Sequence, residues 1–436
     1  MTVRLRPAHR LHGSITVPGD KSISHRALIL NALACGRATV DGFLSSADCL
    51  STMTCLRAWG VEFEHQGSRV EIVSPGRGGL RVSAAPLDCG NSGTSMRLLA
   101  GVAAGFDGLT ILDGDASLRA RPMARVLEPL AAMGAIVDGR AEATLAPISI
   151  RGGALHPFND RLAVPSAQVK SAILLAALAA DGPSRIEERM PTRDHTEIML
   201  AAMGADIERH RTGDAHTITI TPGAPLRPID LTVPADPSAA AYWLVAASLA
   251  DDAEVHLPGI GVNPTRSGAM DVLVAMGATI ERRNERIVGG EAVADLTVRS
   301  SELRGVTIDG SLIPRAIDEL PVLAVAAALA DGVTEIRDAQ ELRVKESDRI
   351  ATTAAMLRAF GADVEERPDG MRIVGGGPFH AATVRSHGDH RLAMAAAVGA
   401  LFATDESELD DGDVVAVSYP RFWQDLAAIT GVQSPA

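Results

Sequence analysis

Lys21, Ser22, Ser24, His25 and Arg26 crowd the start of "GDKSISHRALILNALACG" (19–36), immediately before an alanine- and leucine-rich run made for burial. The whole chain carries a formal net charge of −13, so a local knot of cations needs a purpose. Cations at a helix N-terminus oppose the helix dipole unless an anion sits there, and the chemistry they suit is the binding of phosphate or carboxylate. Similar clusters open four further apolar runs: Asn91, Ser92, Gly93, Thr94 and Arg97; Ser166, Gln168 and Lys170; Asp318 and Glu319; Asp389, His390 and Arg391. Helix capping by Ser, Asn or Asp accounts for any one of them. Recurrence at five of six openings calls for a shared anion-binding centre.

A second set of charged segments follows the same rhythm: "RARPMARV" (119–126), "PTRDHTEIM" (191–199), "NPTRSGAM" (263–270) and "ELRVKESDRI" (341–350). The spacing of Lys345 and Arg349 predicts one shared helical face. Glu346 and Asp348 leave open a plainer reading, a surface helix laced with salt bridges. Placement in the same repeat as Asp318 favours half of a site. "DCGNSGTSMR" (88–97) either cradles a phosphate or turns a tight corner; it is not a Walker A loop, and no GxGxxG precedes a helix in a βαβ setting. His25 reads more readily as a packing or capping residue than as a catalyst, and the recurrent Met residues as fillers of the core.

The elements that position these residues form a repeat. "CLRAWGVEFE" (55–64), "PLAAMGAIVD" (129–138), "MLAAMGADIE" (199–208), "VLVAMGATIE" (272–281) and "MLRAFGADVE" (356–365), with a weaker "DLAAITGVQS" (425–434), each predict a helix end, a glycine in the left-handed region and a strand. The interval is on the order of 70 residues, longer than ordinary solenoid periods. Six Ala/Leu helices, apolar nearly all round and so buried, recur with it. Each unit therefore reads as helix, strand, helix and further strands.

With 436 residues the chain exceeds one core, and a hydrophobic share of 46% with only 3% aromatics predicts α/β layers of small aliphatic side chains. Six units divide into three and three, with a break near "RPIDLTVPADPS" (227–238), and "SITV" (14–17) is expected to return to the C-terminal half. The acidic balance argues against a nucleic-acid partner. Cys35, Cys49, Cys55 and Cys89 lack metal spacing and read as reduced thiols of a cytoplasmic protein. The N-terminus lacks a signal-peptide core, and no apolar stretch is long enough to span a bilayer.

"GDKSISHR", "GNSGTSMR", "RARPM", "SAQVKSA", "ELRVKESDR" and "DHRLAM", in this order, closely resemble the 5-enolpyruvylshikimate-3-phosphate synthases, the 3-phosphoshikimate 1-carboxyvinyltransferases. The likeness spans nearly the whole chain, and "TRDHTE" with "RVKESDR" resembles the bacterial class II subgroup. It implies an inside-out α/β barrel fold of two similar domains, residues 20–232 and residues 1–19 with 233–436, each of three repeated units, with ligands in a cleft between them. It also implies transfer of the enolpyruvyl group of phosphoenolpyruvate to the 5-hydroxyl of shikimate 3-phosphate, in the pathway to aromatic amino acids, with no metal or organic cofactor. A cytoplasmic monomer with small-molecule partners and no membrane association is expected.

Carried over position by position, the resemblance implies that Lys21 touches both substrates and that Ser22 and Arg26 bind the shikimate portion. Asn91, Gly93, Arg121, Arg349 and Arg391 match the phosphoenolpyruvate site. Ser166 and Gln168 match substrate contacts, and Arg193 the segment that reaches the 3-phosphate. Asp318 matches the base that takes the 5-hydroxyl proton, Lys345 a contact to both ligands, and Glu346 a proton donor to the methylene carbon, a role for which Lys21 is the other candidate. Val417 stands where many relatives have lysine, which puts one phosphate contact in doubt. Gly93 implies ordinary sensitivity to glyphosate. The rival UDP-N-acetylglucosamine enolpyruvyl transferases normally have Lys-Asn at the position of Lys21-Ser22, and a loop cysteine that "LDGDASLRARP" (112–122) lacks. A non-catalytic anion-binding relative does not need both Asp318 and Glu346, and the length of the chain disfavours a detached module of a larger polypeptide.

Overall fold

The computed structural model describes residues 1–212 and 215–431. It divides into two compact units, one of Met1–Pro18, Pro234–Ile287 and Ala292–Ala436, the other of Gly19–Val233 with Val288–Glu291. Each has its own apolar core.

In the unit that begins at Gly19, three core helices, Lys21–Leu33, Gly93–Ala104 and Ala167–Ala177, are buried along most of their length. Small side chains allow close packing: a Cβ at Gly101 would collide with the carbonyl oxygen of Ala172. Each core helix is followed by a strand, a second helix and a β-hairpin. In the first repeat these are Cys35–Asp41, Ala47–Ala58, Glu62–Gln66 and Arg69–Pro75. Each four-stranded sheet takes its fourth strand in parallel from a neighbouring repeat, and Leu231–Thr232 joins Cys35–Asp41 in this way. Strands such as Arg69–Pro75 alternate buried and exposed positions, so the sheets form the skin around the helices.

The other unit repeats the plan with core helices Pro237–Leu249, Leu320–Leu329 and His390–Ala400. Two strands near the N-terminus serve it. Arg10–Ser14 pairs in parallel with Asp252–His256, and Val3–Leu5 pairs antiparallel with Ser407–Leu409. The returning strand thus lies a few residues before the expected "SITV". The glycines that follow the second helix of each repeat, among them Gly60 and Gly204, have φ of +95° and +89°, a region open to glycine at little cost. Gly431 has φ +69°, but residues 432–434 of the weak sixth motif lie outside the described residues.

Candidate active site

In the Gly19 unit the site is built on helix openings. Asp20 caps the first core helix, accepting from the Ile23 amide at 2.9 Å. Lys21 follows, with Nζ 3.0 Å from Asp48 Oδ2. Arg26 is buried one turn on; Nε donates to Thr196 Oγ1 at 2.7 Å, Nη2 to Ser171 Oγ at 2.8 Å and Nη1 to the Ser22 carbonyl at 3.0 Å. Burial pushes Arg26 down to about 10, which leaves the guanidinium charged at neutral pH. Arg193 Nη1 lies 3.4 Å from Ser22 Oγ, so Ser22, Arg26 and Arg193 form one group.

The second helix opening supplies another. Arg121 Nη2 donates to Asn91 Oδ1 at 2.5 Å and to Ser117 Oγ at 3.1 Å, and Nη1 donates to the Asn91 carbonyl at 3.2 Å. Ser92 caps the helix and Gly93 begins it. A Cβ at Gly93 would stand 3.0 Å from Arg97 Nη1 and 3.5 Å from Arg121 Nη1, so the absent side chain gives two guanidinium ends their room. Arg97 Nη1 donates to Gln168 Oε1 at 2.6 Å, and Gln168 Nε2 to Thr94 Oγ1 at 2.9 Å. Ser166 caps the third core helix through the Val169 amide at 3.4 Å. His25 is fully buried, with Nδ1 2.7 Å from Thr52 Oγ1; Thr52 lies 2.6 Å from Ser95 Oγ, which donates to Ser92 Oγ at 2.7 Å. This hydroxyl chain ties the first core helix to the second. Burial, then the charges of Lys21 and Arg26, push the imidazole well below its ordinary value and keep it neutral.

The other unit gathers carboxylates among its cations. Asp318 Oδ1 lies 3.5 Å from Lys345 Nζ and 3.4 Å from Arg349 Nη1, and Oδ2 lies 3.9 Å from Arg391 Nη2. Glu346 Oε2 accepts from Arg349 Nη2 at 2.6 Å. Arg349 also grips Asp389, with Nε to Oδ2 at 2.7 Å and Nη2 to Oδ1 at 3.1 Å, while Asp389 Oδ1 caps its helix through the Arg391 amide at 3.0 Å. Burial works against the charge of Arg349, but Asp389 and Glu346 outweigh it and raise its pKa. Arg391 is raised likewise, burial being outweighed first by Asp318. Beside this cluster, Arg266 Nη2 reaches Asp236 Oδ1 at 3.0 Å, and Ser238 Oγ donates to Glu319 Oε1.

The structure thus brings Ser22, Arg26 and Arg193 together, joins Asn91, Gly93 and Arg121 through the guanidinium contacts, and gathers Asp318, Lys345, Glu346, Arg349 and Arg391 in a single cluster. One expectation is corrected. Lys345 and Arg349 do not share a helical face, because Asp348 caps a helix that starts at Arg349, accepting from the Ala351 amide at 3.1 Å; Lys345 precedes it, directly after the 3₁₀ turn Gln340–Val344. Val417 ends another short turn, Asp413–Val417, and is half-buried. Asp48, Thr52, Ser171 and Thr196 were missed; helical hydroxyls and a first-turn carboxylate give no pattern to read. Arg97, Glu319 and Asp389 stood in the charged openings, which was the signal available for them.

The fold is that of the enolpyruvyl transferases: the enzyme NikO from Streptomyces tendae aligns over 98% of this chain and 97% of its own with a TM-score of 0.79, at 20% identity, a likeness of fold alone. An EPSP synthase from Acinetobacter baumannii is similar at 40% identity over 98% of both chains, with a TM-score of 0.86. The 3-phosphoshikimate 1-carboxyvinyltransferases of Chloroflexus aggregans, 55% identical over 98% of each chain, and of Roseiflexus sp. strain RS-1, 54% identical over 98% of this chain and 99% of its own, are also similar. Residues 5–426 match the family model described as EPSP synthase (3-phosphoshikimate 1-carboxyvinyltransferase), and the chain belongs to that family.

Proposed function

We infer that the chain transfers the enolpyruvyl group of phosphoenolpyruvate to the 5-hydroxyl of shikimate 3-phosphate and releases phosphate, with its two charged centres dividing the work. The observation that carries this reading is the cluster of Lys345, Arg349 and Arg391 around Asp318, a carboxylate set among cations that suit anionic substrates.

Asp318 takes the proton of the 5-hydroxyl as its oxygen attacks C2 of phosphoenolpyruvate. Glu346 gives a proton to C3, so C2 becomes a tetrahedral centre bearing both the shikimate oxygen and the phosphate. The C2–O bond to phosphate then breaks, phosphate leaves, and a proton returns from C3 to restore the double bond. Lys21, with Arg121, Arg349 and Arg391, holds phosphate and carboxylate charge in reacting geometry; Asn91 and Gly93 complete the donor site. Ser22, Arg26, Ser166, Gln168 and Lys345 hold the acceptor, and Arg193 its 3-phosphate. The setting is cytoplasmic, supported by four free thiols, and the working unit a single chain. No described helix is long and apolar enough to cross a membrane.

Phosphate release is measured with shikimate 3-phosphate and with UDP-N-acetylglucosamine as separate acceptors, for the wild type and Asp318→Ala. Release with shikimate 3-phosphate alone, falling by about 10²–10⁴-fold in the variant, is expected for loss of a general base. Release with the sugar nucleotide, or undiminished release by the variant, overturns the reading.

A further inference from the structure

Lys170 stood out among the charged openings, yet nothing above gives it a task. It is 1% exposed on the third core helix. Its Nζ lies 2.9 Å from Glu188 Oε2, 2.7 Å from Glu197 Oε1 and 3.2 Å from the Thr192 carbonyl oxygen. Glu188 Oε1 also accepts from Thr192, at 2.5 Å from Oγ1 and 3.3 Å from the amide. Three ionisable side chains buried together are costly unless each bond is made, and a plain hydrophobic packing would serve stability as well or better. The next residue of interest is Arg193, and at the far end of the segment Thr196 accepts from Arg26 and bonds Ser171 at 2.7 Å. The segment 192–197 is therefore pinned on both sides of Arg193. Burial opposes the charge of Lys170, but Glu197 and Glu188 outweigh it and raise its pKa, so the ammonium stays charged. Glu197 also favours the charged form of Arg26.

We propose that Lys170, Glu188 and Glu197 are positioning residues that hold Thr192 and so set the aim of Arg193, giving the enzyme its preference for a phosphorylated acceptor. The proposal rests on the reading of Arg193 as a contact to the 3-phosphate. An arginine held by its backbone on both sides loses little freedom when it meets a phosphate, and a slack one loses more. The triad thus acts on affinity for one group of one substrate.

Calorimetric Kd values are compared for shikimate 3-phosphate and for unphosphorylated shikimate, using the full chain. Thr192→Val is the main variant because it leaves all three ionisable side chains in place. The Kd for shikimate 3-phosphate is expected to rise about tenfold, the equivalent of one hydrogen bond, with that for shikimate changed less than about twofold. Thr192→Ser, which restores the hydroxyl, returns the wild-type value. Lys170→Met, where it folds, shows the same selective loss, with the KM for shikimate 3-phosphate raised and that for phosphoenolpyruvate unmoved. Equal weakening of both acceptors, or no change in either, overturns the proposal. A wild type that binds shikimate 3-phosphate no more tightly than shikimate overturns the reading beneath it, and the proposal with it.

Discussion

The two charged centres hold their arginines in opposite ways. In the Gly19 unit Arg26 donates to two hydroxyls and a carbonyl, Arg97 to an amide oxygen and the Pro122 carbonyl, and Arg121 to an amide oxygen, a hydroxyl and a carbonyl, while the carboxylate of Asp48 meets Lys21. In the other unit Arg349 meets Asp318, Glu346 and Asp389, and Arg391 meets Asp318 and Glu319. Neutral partners aim a guanidinium without cancelling its charge, whereas carboxylates both aim and neutralise it. The first centre is thus preorganised to attract an anion; in the second, carboxylates already meet the arginines, and an incoming anion would have to share those arginines with them. The pKa directions follow the same divide, down for Arg26 through burial and up for Arg349 and Arg391 through their carboxylates, despite burial.

Removing an arginine from each centre tests the contrast. Arg349→Met leaves the buried Asp389 without its main counter-charge, and a broken buried ion pair typically costs about 3–5 kcal/mol. A fall of that size in denaturant stability is expected, with partial recovery in Arg349→Met/Asp389→Asn, since the second change removes the stranded charge. Arg26→Met strands only Thr196, Ser171 and a carbonyl, and an unmet buried hydrogen bond costs about 1–3 kcal/mol. Its larger signature is a weakened affinity for shikimate 3-phosphate. Equal stability losses for the two variants would dissolve the distinction between the centres.

A smaller change sharpens it. In Gly93→Ala the new methyl meets the ends of two flexible guanidinium groups rather than backbone, so they yield at little cost in stability. They shift from their aim instead. The KM for phosphoenolpyruvate is expected to rise about tenfold with Tm nearly unchanged, a loss of one well-placed charged contact. Glyphosate inhibition of the wild type is expected at submillimolar concentration and is expected to weaken in the same variant; steady-state kinetics with varied donor checks both.

Much of this is legible in the sequence. The repeat glycines, the alanine-rich helices and the charged residues at their openings announced six units and the α/β class, because burial and capping leave periodic marks. The sequence also flagged every arginine of the two centres. What it did not convey was how each is held. Thr52, Ser171 and Thr196 are ordinary helical hydroxyls, and Asp48 looks like any first-turn carboxylate; their partners lie on other helices, and no local pattern encodes a long-range hydrogen bond. Lys345 shows the reverse failing. Its spacing from Arg349 fits a helix, but Asp348 offers the backbone a cap, and capping won over periodicity.

The weakest expected effect belongs to His25, and it bears on the cations gathered at the first helix opening, where Lys21 and Arg26 flank the imidazole. Burial, Lys21 and Arg26 together depress its folded pKa well below the ordinary value. As the pH falls through about 6.5 the unfolded chain takes up a proton at this position that the folded chain refuses. The unfolded state then binds more protons, so the stability contributed by a neutral His25 is present above that pH and lost below it. His25→Asn keeps a polar partner for Thr52 and removes the titration. Urea midpoints at pH 7, 6 and 5 should therefore fall less steeply in the variant, with the two curves diverging by on the order of 1 kcal/mol at the acid end. Parallel curves would mean that the imidazole takes up its proton in the folded protein too, beside Lys21 and Arg26. The first helix opening would then carry a further buried cation beside Arg26, and the hydroxyls and carbonyl that hold Arg26 would no longer suffice to offset the charges gathered there.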